Sequence, residues 1–422
     1  MDGYKEFTLR NGLRVHLQST ATPTAFGRLR VSHGALHELP GEEGSAHILE
    51  HLLVTGGSEA ASPEETEQRV AALGYFNAFT TQEDTTFESS FLSEDAPDFL
   101  PLVAGMAFRP RLDSEKLEQE RRRVLREIAD RKSKESFVPS QAFHQALFGK
   151  GPRTYFVPGT ESSVAAATQK SLRDFHLRGY SPNNADLILV GGLPGDIEQR
   201  IEESFGALPT GSGHPYNFPA IQPLRGPSVL RFPSTDLHNH DLPDQSSAAV
   251  VIGMHAPPDG AEEAVAVSVL NYVLGDGMHS RLFRRLSTGE GLAYGIESEY
   301  NRILDAGILQ IETKVPSRMQ ERALDNIFEE LGRLKESGID EAELAQAKHA
   351  AKYAFANQLE TNRGKSNAIL RKIDYGIEPS TILRQLDVMT PKKVSDAAAH
   401  YLPKDRQGGY VALILDPLLS QK

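Results

Sequence analysis

The chain opens with alternating apolar and polar residues. Residues 4–9 and 13–18 read as strands joined by Asn11-Gly12, a hairpin signal, and residues 27–33 follow as a third strand with Leu29 and Val31 set against polar neighbours. The period then changes. Within Gly44-Ser-Ala-His-Ile-Leu-Glu-His-Leu-Leu53, a helical turn of about 100° per residue puts Ile48, Leu49, Leu52 and Leu53 on one face and His47, Glu50 and His51 on the other. Ser45 is placed to cap this helix. A second helix starts at Ser62-Pro-Glu-Glu and stops at Gly74; residues 75–80 and 85–91 make two strands around a polar turn, and helices follow at 96–108 and from 113.

In the helix from residue 113, Leu117, Val124 and Ile128 form an apolar stripe bordered by Glu120 and Glu127, which are seven residues apart and so share a face. Carboxylates beside a buried stripe cost free energy unless paired or metal-bound. The arginines at 121, 122, 123 and 126 offer Glu120 the simpler alternative of a solvated ion pair. Helical segments continue to about residue 180, residues 185–191 read as a buried strand and 195–205 as a closing helix.

Residues 209–227, rich in Pro and Gly and without a period, read as a linker. The order of elements then repeats. Strand 247–254 is followed by helices 260–274 and 280–286, strands 291–300 and 307–314, helices at 316–337, from 340 and at 366–374, and strand 410–415. The expected fold is α+β, with two tandem homologous units, each a mostly antiparallel mixed sheet packed with helices. The units are expected at 1–215 and 216–422, and the second has no counterpart of the histidine motif.

Composition narrows the partners. Across 422 residues, 39% hydrophobic and 24% charged content is that of a globular protein with chain enough for two cores. A net charge of −12 argues against nucleic acid or an anionic membrane surface as the main partner. With no cysteine, any zinc site must be built from His and carboxylate, a set that leans towards catalysis rather than a closed structural site. No apolar run is long enough for a membrane span, and the first residues lack a signal or transit pattern, so a cytoplasmic location is the expectation.

Two histidines at i and i+4 with an intervening glutamate form a zinc half-site with a base beside it, though a surface helix carrying two histidines satisfies the same pattern. A third ligand has to be found. His238-Asn-His240 with Asp236, Asp241 and Asp244 is another metal-type cluster, read more simply as a solvated loop. The arginine-dense residues 281–285 read as a solvated helix face or part of the closing surface, and His33 and His37 as loop residues.

Taken together the pieces resemble the pitrilysin family of zinc peptidases, the inverzincins, and within it the short-chain branch typified by mitochondrial processing peptidase. The resemblance rests on residues 34–38 followed by Gly-Ser-Ala-His-Ile-Leu-Glu-His-Leu, on Asn77-Ala-Phe-Thr80 with Thr85, on Glu120 and Glu127, and on Gly291-Leu-Ala-Tyr294. It implies a zinc metalloendopeptidase in which His47, His51 and Glu127 bind Zn2+ and Glu50 is the general base. Glu120 would support the site as an outer carboxylate, and Asn77, Ala78, Phe79 and Thr80 would form the edge strand that takes a peptide substrate in extended form.

The second unit departs from the pattern. Members that complete the active site from that unit carry an arginine seven residues before the tyrosine; Tyr294 is present, but the earlier position holds Ser287. The resemblance therefore implies the zinc-bearing subunit of a heterodimer, closing a clamshell chamber with a homologous non-zinc chain that supplies an Arg/Tyr pair. A homodimer is the alternative pairing, and a non-catalytic, peptide-binding subunit the alternative function.

Overall fold

The computed structural model describes residues 3–211, 217–237 and 246–421, which form two mixed sheets covered by helices. The first sheet contains β1 (Tyr4–Thr8), β2 (Arg14–Ser19), β3 (Thr24–Val31), β4 (Tyr75–Thr80), β5 (Thr85–Leu92) and β6 (Ala185–Gly191), in the order β1-β2-β6-β3-β5-β4. The second contains β7 (Pro227–Phe232), β8 (Ser247–Ala256), β9 (Ile296–Ile303), β10 (Ala306–Pro316) and β11 (Tyr410–Leu415), in the order β7-β11-β8-β10-β9. With β1 set aside, the two orders are one pattern. Each has a single parallel pair, β2 with β6 and β7 with β11, and is otherwise antiparallel. The expected α+β architecture of two tandem units is what the chain adopts.

The first core lies on one face of its sheet. Leu29, Phe87, Leu187 and Leu189 meet Ile48, Leu49, Leu52 and Leu53 of the helix Ser45–Thr55 and Phe99, Leu100 and Val103 of the helix Ala96–Phe108. Each fully buried aliphatic side chain contributes about 1.5–3 kcal/mol, so the four from the histidine helix fix its roll against the sheet. A separate core in the second unit centres on Ile252, Leu309 and Ile311 with Val267, Leu270, Leu324 and Ile327.

The opposite sheet faces are covered by exchange. One compact unit comprises Met1–Arg131, Tyr155–Asn217 and Gln358–Ile373; the other comprises Lys132–Thr154, Phe218–Asn357 and Asp374–Lys422. Two contiguous units divided at 215/216 do not describe this, because each half of the chain gives the other sheet a helix. From the helix Phe137–Phe148, Phe143 and Leu147 pack on Ile308, Val411 and Leu413 of the second sheet. Gly253 allows this, since a Cβ there would stand 2.6 Å from the Phe143 ring. In return, Ile369 from the helix Asn362–Tyr375 packs on Ile188 and Val190 of β6.

That second face of the first sheet is ionic around its apolar strip. Arg28 of β3 donates to Glu88, its cross-strand partner on β5, at 2.6 and 3.1 Å, and to Asn367 at 3.0 Å, while Arg363 donates to Glu88 at 2.5 Å. Asp186 on β6 accepts from Arg14 at 2.7 and 2.9 Å and from Arg30 at 3.0 Å.

Several local expectations change. Ser45 is the first helical residue rather than the cap: Gly44 holds that place in the left-handed region at φ 90°. The strand expected from residue 291 begins at Ile296, because the backbone first folds back, with Leu292 N–H donating to Leu286 O at 2.8 Å. The helix expected at 280–286 is capped by Ser280 and then widens into a π-turn over Arg284–Gly289. The described part of the linker holds no helix or strand before β7. Of the second metal-type cluster, His238, His240, Asp241 and Asp244 lie outside the described residues. No helix among the described residues is long and apolar enough to cross a membrane.

Candidate metal centre

The histidine helix Ser45–Thr55 and the helix Ser114–Ser133 bring three donors together. The ligand-type atoms of His47, His51 and Glu127 all lie within 4.8 Å of one another, the one such group among the described residues. Glu127 Oε2 stands 3.7 Å from the Nε2 atoms of both histidines. A tetrahedral ion with bonds of about 2.0–2.1 Å has ligand atoms about 3.3 Å apart, so the group fits such an ion after small side-chain shifts. Two imidazoles and a carboxylate also leave a fourth position free.

Local chemistry prepares both imidazoles as lone-pair donors. His51 Nδ1 lies 3.0 Å from Glu120 Oε2; the carboxylate accepts a hydrogen bond from Nδ1–H, which keeps the proton on that nitrogen and leaves Nε2 bare towards Glu127. Burial alone would raise Glu120, but the hydrogen bond and charge of His51, with Thr55 and Arg123, outweigh it and hold the carboxyl below its usual range. For His47, burial and then the charges of His51, Arg131 and Arg123 push the pKa down to about 3, so the ring is neutral at physiological pH. Its Nδ1 has no hydrogen-bond partner among the described residues.

Glu50 is buried on the same face, and burial pushes its pKa up against the opposing influence of His51 and Thr80. Thr80 Oγ1 donates to Glu50 Oε2 at 3.0 Å, tying the carboxylate to β4. β4 pairs only with β5 and is the sheet's edge. Asn77, Ala78, Phe79 and Thr80 on this strand line a cleft of about 610 Å³ together with His47, Glu50, His51 and Glu127. Nine residues expected at a site from sequence therefore meet in one place, all from the first unit. The tenth, Tyr294, lies on the second unit, fully exposed. Ser287 is beside its backbone, with Oγ 3.5 Å from Tyr294 O.

One supporting residue was not foreseen. Gly44 has no side chain to cap the histidine helix, and a Cβ at its positive φ would also meet Pro158 O at 2.5 Å. Glu38 does the capping instead, its Oε1 accepting from Ala46 N–H at 2.8 Å. Burial raises the Glu38 pKa to about 8, against the pull of the Ala46 and Gly44 amides and with help from Glu43 and Glu42. Its signal in sequence is only an acid eight residues before the amide it caps.

The arginines at 281–285 are not a uniformly solvated face: Arg281 is tied to Glu343 at 2.7 Å and Arg285 to Asn326 at 2.8 Å, which leaves Arg284 the exposed one. His33 is a buried residue whose ring packs at a tilt against Phe175 and His37 rather than a free loop residue.

Residues 14–158 match the family model described as "Insulinase (Peptidase family M16)", and residues 166–351 match "Peptidase M16 inactive domain". A Mycobacterium tuberculosis protein named an uncharacterized zinc protease is 30% identical over 424 residues, which cover 98% of this chain and 93% of the relative. The chain belongs to the M16 peptidase family, the pitrilysin family of the sequence resemblance. YmxG of Bacillus subtilis, also named an uncharacterized zinc protease, is 27% identical over 421 residues, 98% of each chain. The M16 fold is matched by a Helicobacter pylori protease, with a TM-score of 0.84 at 21% identity over 98% of this chain and 99% of that one. The periplasmic protease PqqL of Escherichia coli aligns with a TM-score of 0.81 at 18% identity over all of this chain but 48% of its own.

Proposed function

We propose that this M16 chain is a zinc metallopeptidase that hydrolyses peptides or unfolded polypeptides bound in extended form. The observation that carries the reading is the convergence of His47, His51 and Glu127 with buried Glu50 beside the unpaired edge of β4. His47, His51 and Glu127 would hold the zinc ion, which when bound would supply Lewis-acid polarisation of a peptide carbonyl and acidify a water towards neutrality. The bound peptide adds a strand to β4, its backbone pairing with the free amides and carbonyls of residues 77–80 largely independently of side chains.

Glu50 takes the proton from the attacking water and passes it to the leaving nitrogen; the raised pKa that burial gives it suits this two-way role. Thr80 holds the carboxylate in line. Glu120 keeps His51 in the tautomer that offers Nε2. Ser287, where an arginine would precede Tyr294 by seven residues, supports pairing with a homologous non-zinc chain that supplies an Arg/Tyr pair. PqqL, whose chain is about twice as long, is consistent with two such lengths working together.

Glu50→Gln tests the reading directly. It removes the base and leaves the ligands, so zinc content by elemental analysis should stay near one per chain while cleavage of an unfolded polypeptide falls about 10³-fold or more. Unchanged cleavage, or a wild-type protein that takes up no zinc, defeats the assignment. Strong activity from a homogeneous preparation defeats the need for a non-zinc partner and leaves the homodimer.

A further inference from the structure

The helix Ser114–Ser133 presents Arg123, Glu127 and Arg131 at four-residue intervals, so an arginine stands about 6 Å along the axis on either side of Glu127. All three line the cleft. The two arginines are not equivalent. Arg123 is committed within the helix, its Nε 3.5 Å from Glu127 Oε1 and its Nη1 3.8 Å from Glu120 Oε2. Arg131 is exposed and has no carboxylate partner among the described residues.

The rest of the lining does not offset that charge. Val54, Val70 and Phe76 give an apolar wall, Glu50 is bonded to Thr80, and Glu127 faces the histidines and Arg123. Arg131 lines the same cleft as His47, Glu50 and Glu127. A net charge of −12 for the whole chain makes a free cation at this position a local feature rather than a general one.

We propose that Arg131 is a specificity-determining residue that selects an acidic side chain in the bound peptide, close to the bond to be cut. This rests on reading the cleft as the peptide site. Backbone pairing along β4 fixes the peptide's direction but reads no sequence, so discrimination falls to side chains reaching across to the opposite wall. A guanidinium there meets a carboxylate in two parallel hydrogen bonds and repels a lysine or arginine at the same position.

The test separates binding from cleavage. Peptides of one sequence carrying Glu, Gln or Lys at a single scanned position are bound to zinc-loaded Glu50→Gln protein and followed by fluorescence anisotropy. At one position the Glu peptide should bind about tenfold more tightly than the Lys peptide, with the ratio shrinking at high salt. Adding Arg131→Glu should invert the ratio and Arg131→Gln should bring it close to one. A ratio that does not move with either Arg131 variant, or no charge preference at any position, overturns the proposal. Cleavage of the same peptides by the wild type tests the peptidase reading separately. A charge preference in binding without any cleavage defeats that reading and leaves Arg131's role standing.

Discussion

In the first unit the helix Ser45–Thr55 lies beside the edge strand β4 and turns His47, Glu50 and His51 away from the core; in the second, the helix Ala264–Leu274 lies beside the edge strand β9 and carries no histidine or carboxylate. The sheets behind them have one strand order. What distinguishes a metal-type cleft from a packed helix is therefore the polar half of one helix and Glu127 on another, while the strand order is shared. The second faces of the sheets differ as well. The first holds Arg28, Glu88 and Asp186 under the helix Asn362–Tyr375, and the second is closed by Phe143 and Leu147 on Ile308 and Leu413.

The largest effect expected from this contrast is at Glu88. Glu88→Gln leaves the buried Arg28 without its counter-charge and should lower unfolding free energy by about 3–5 kcal/mol in urea denaturation. A loss under 1 kcal/mol would mean that the ionic face contributes little and that the two units are closed alike. In the second unit, Leu147→Ala removes buried methyl groups from an apolar contact and should cost about 2–5 kcal/mol, with little dependence on salt. A strong salt dependence of that loss would break the comparison.

A smaller effect is expected at the start of the histidine helix. The Glu38 pKa of about 8 lies above its unfolded value, so Glu38 contributes stability that is full below about pH 4.5 and lost as pH rises through 8. Glu38→Gln keeps an oxygen for the Ala46 amide and cannot ionise. Metal-free wild type and variant should match near pH 5, and the variant should be the more stable by about 2 kcal/mol at pH 9, allowing for solvent screening. Equal denaturation midpoints at both pH values would show that Glu38 is not held away from water.

Much of the site was legible because its parts are local. Spacings of three, four and seven residues put His47, Glu50 and His51 on one helix face and Glu120 and Glu127 on another, whatever the rest of the chain does. Residues 75–80 and 85–91 declared themselves as strands by their β-branched and aromatic content and the polar turn between them. The capping of the histidine helix was misread because Ser45 looks like a cap in isolation. Gly44 takes that place through a positive φ and a close approach to Pro158, both set by chain packed around the helix.

Periodicity alone thus determined which residues of this protein share a face, and the absence of cysteine restricted their metal chemistry to imidazole and carboxylate. Only the tertiary structure decided that the two helix faces meet, that Thr80 reaches Glu50 from an edge strand, and that Arg131 has no carboxylate partner among the described residues. It also decided the exchange of helices. Phe143 and Leu147 announce an apolar face, but an apolar face carries no address. Which sheet it covers is settled by shape and by the room that Gly253 leaves, not by distance along the chain.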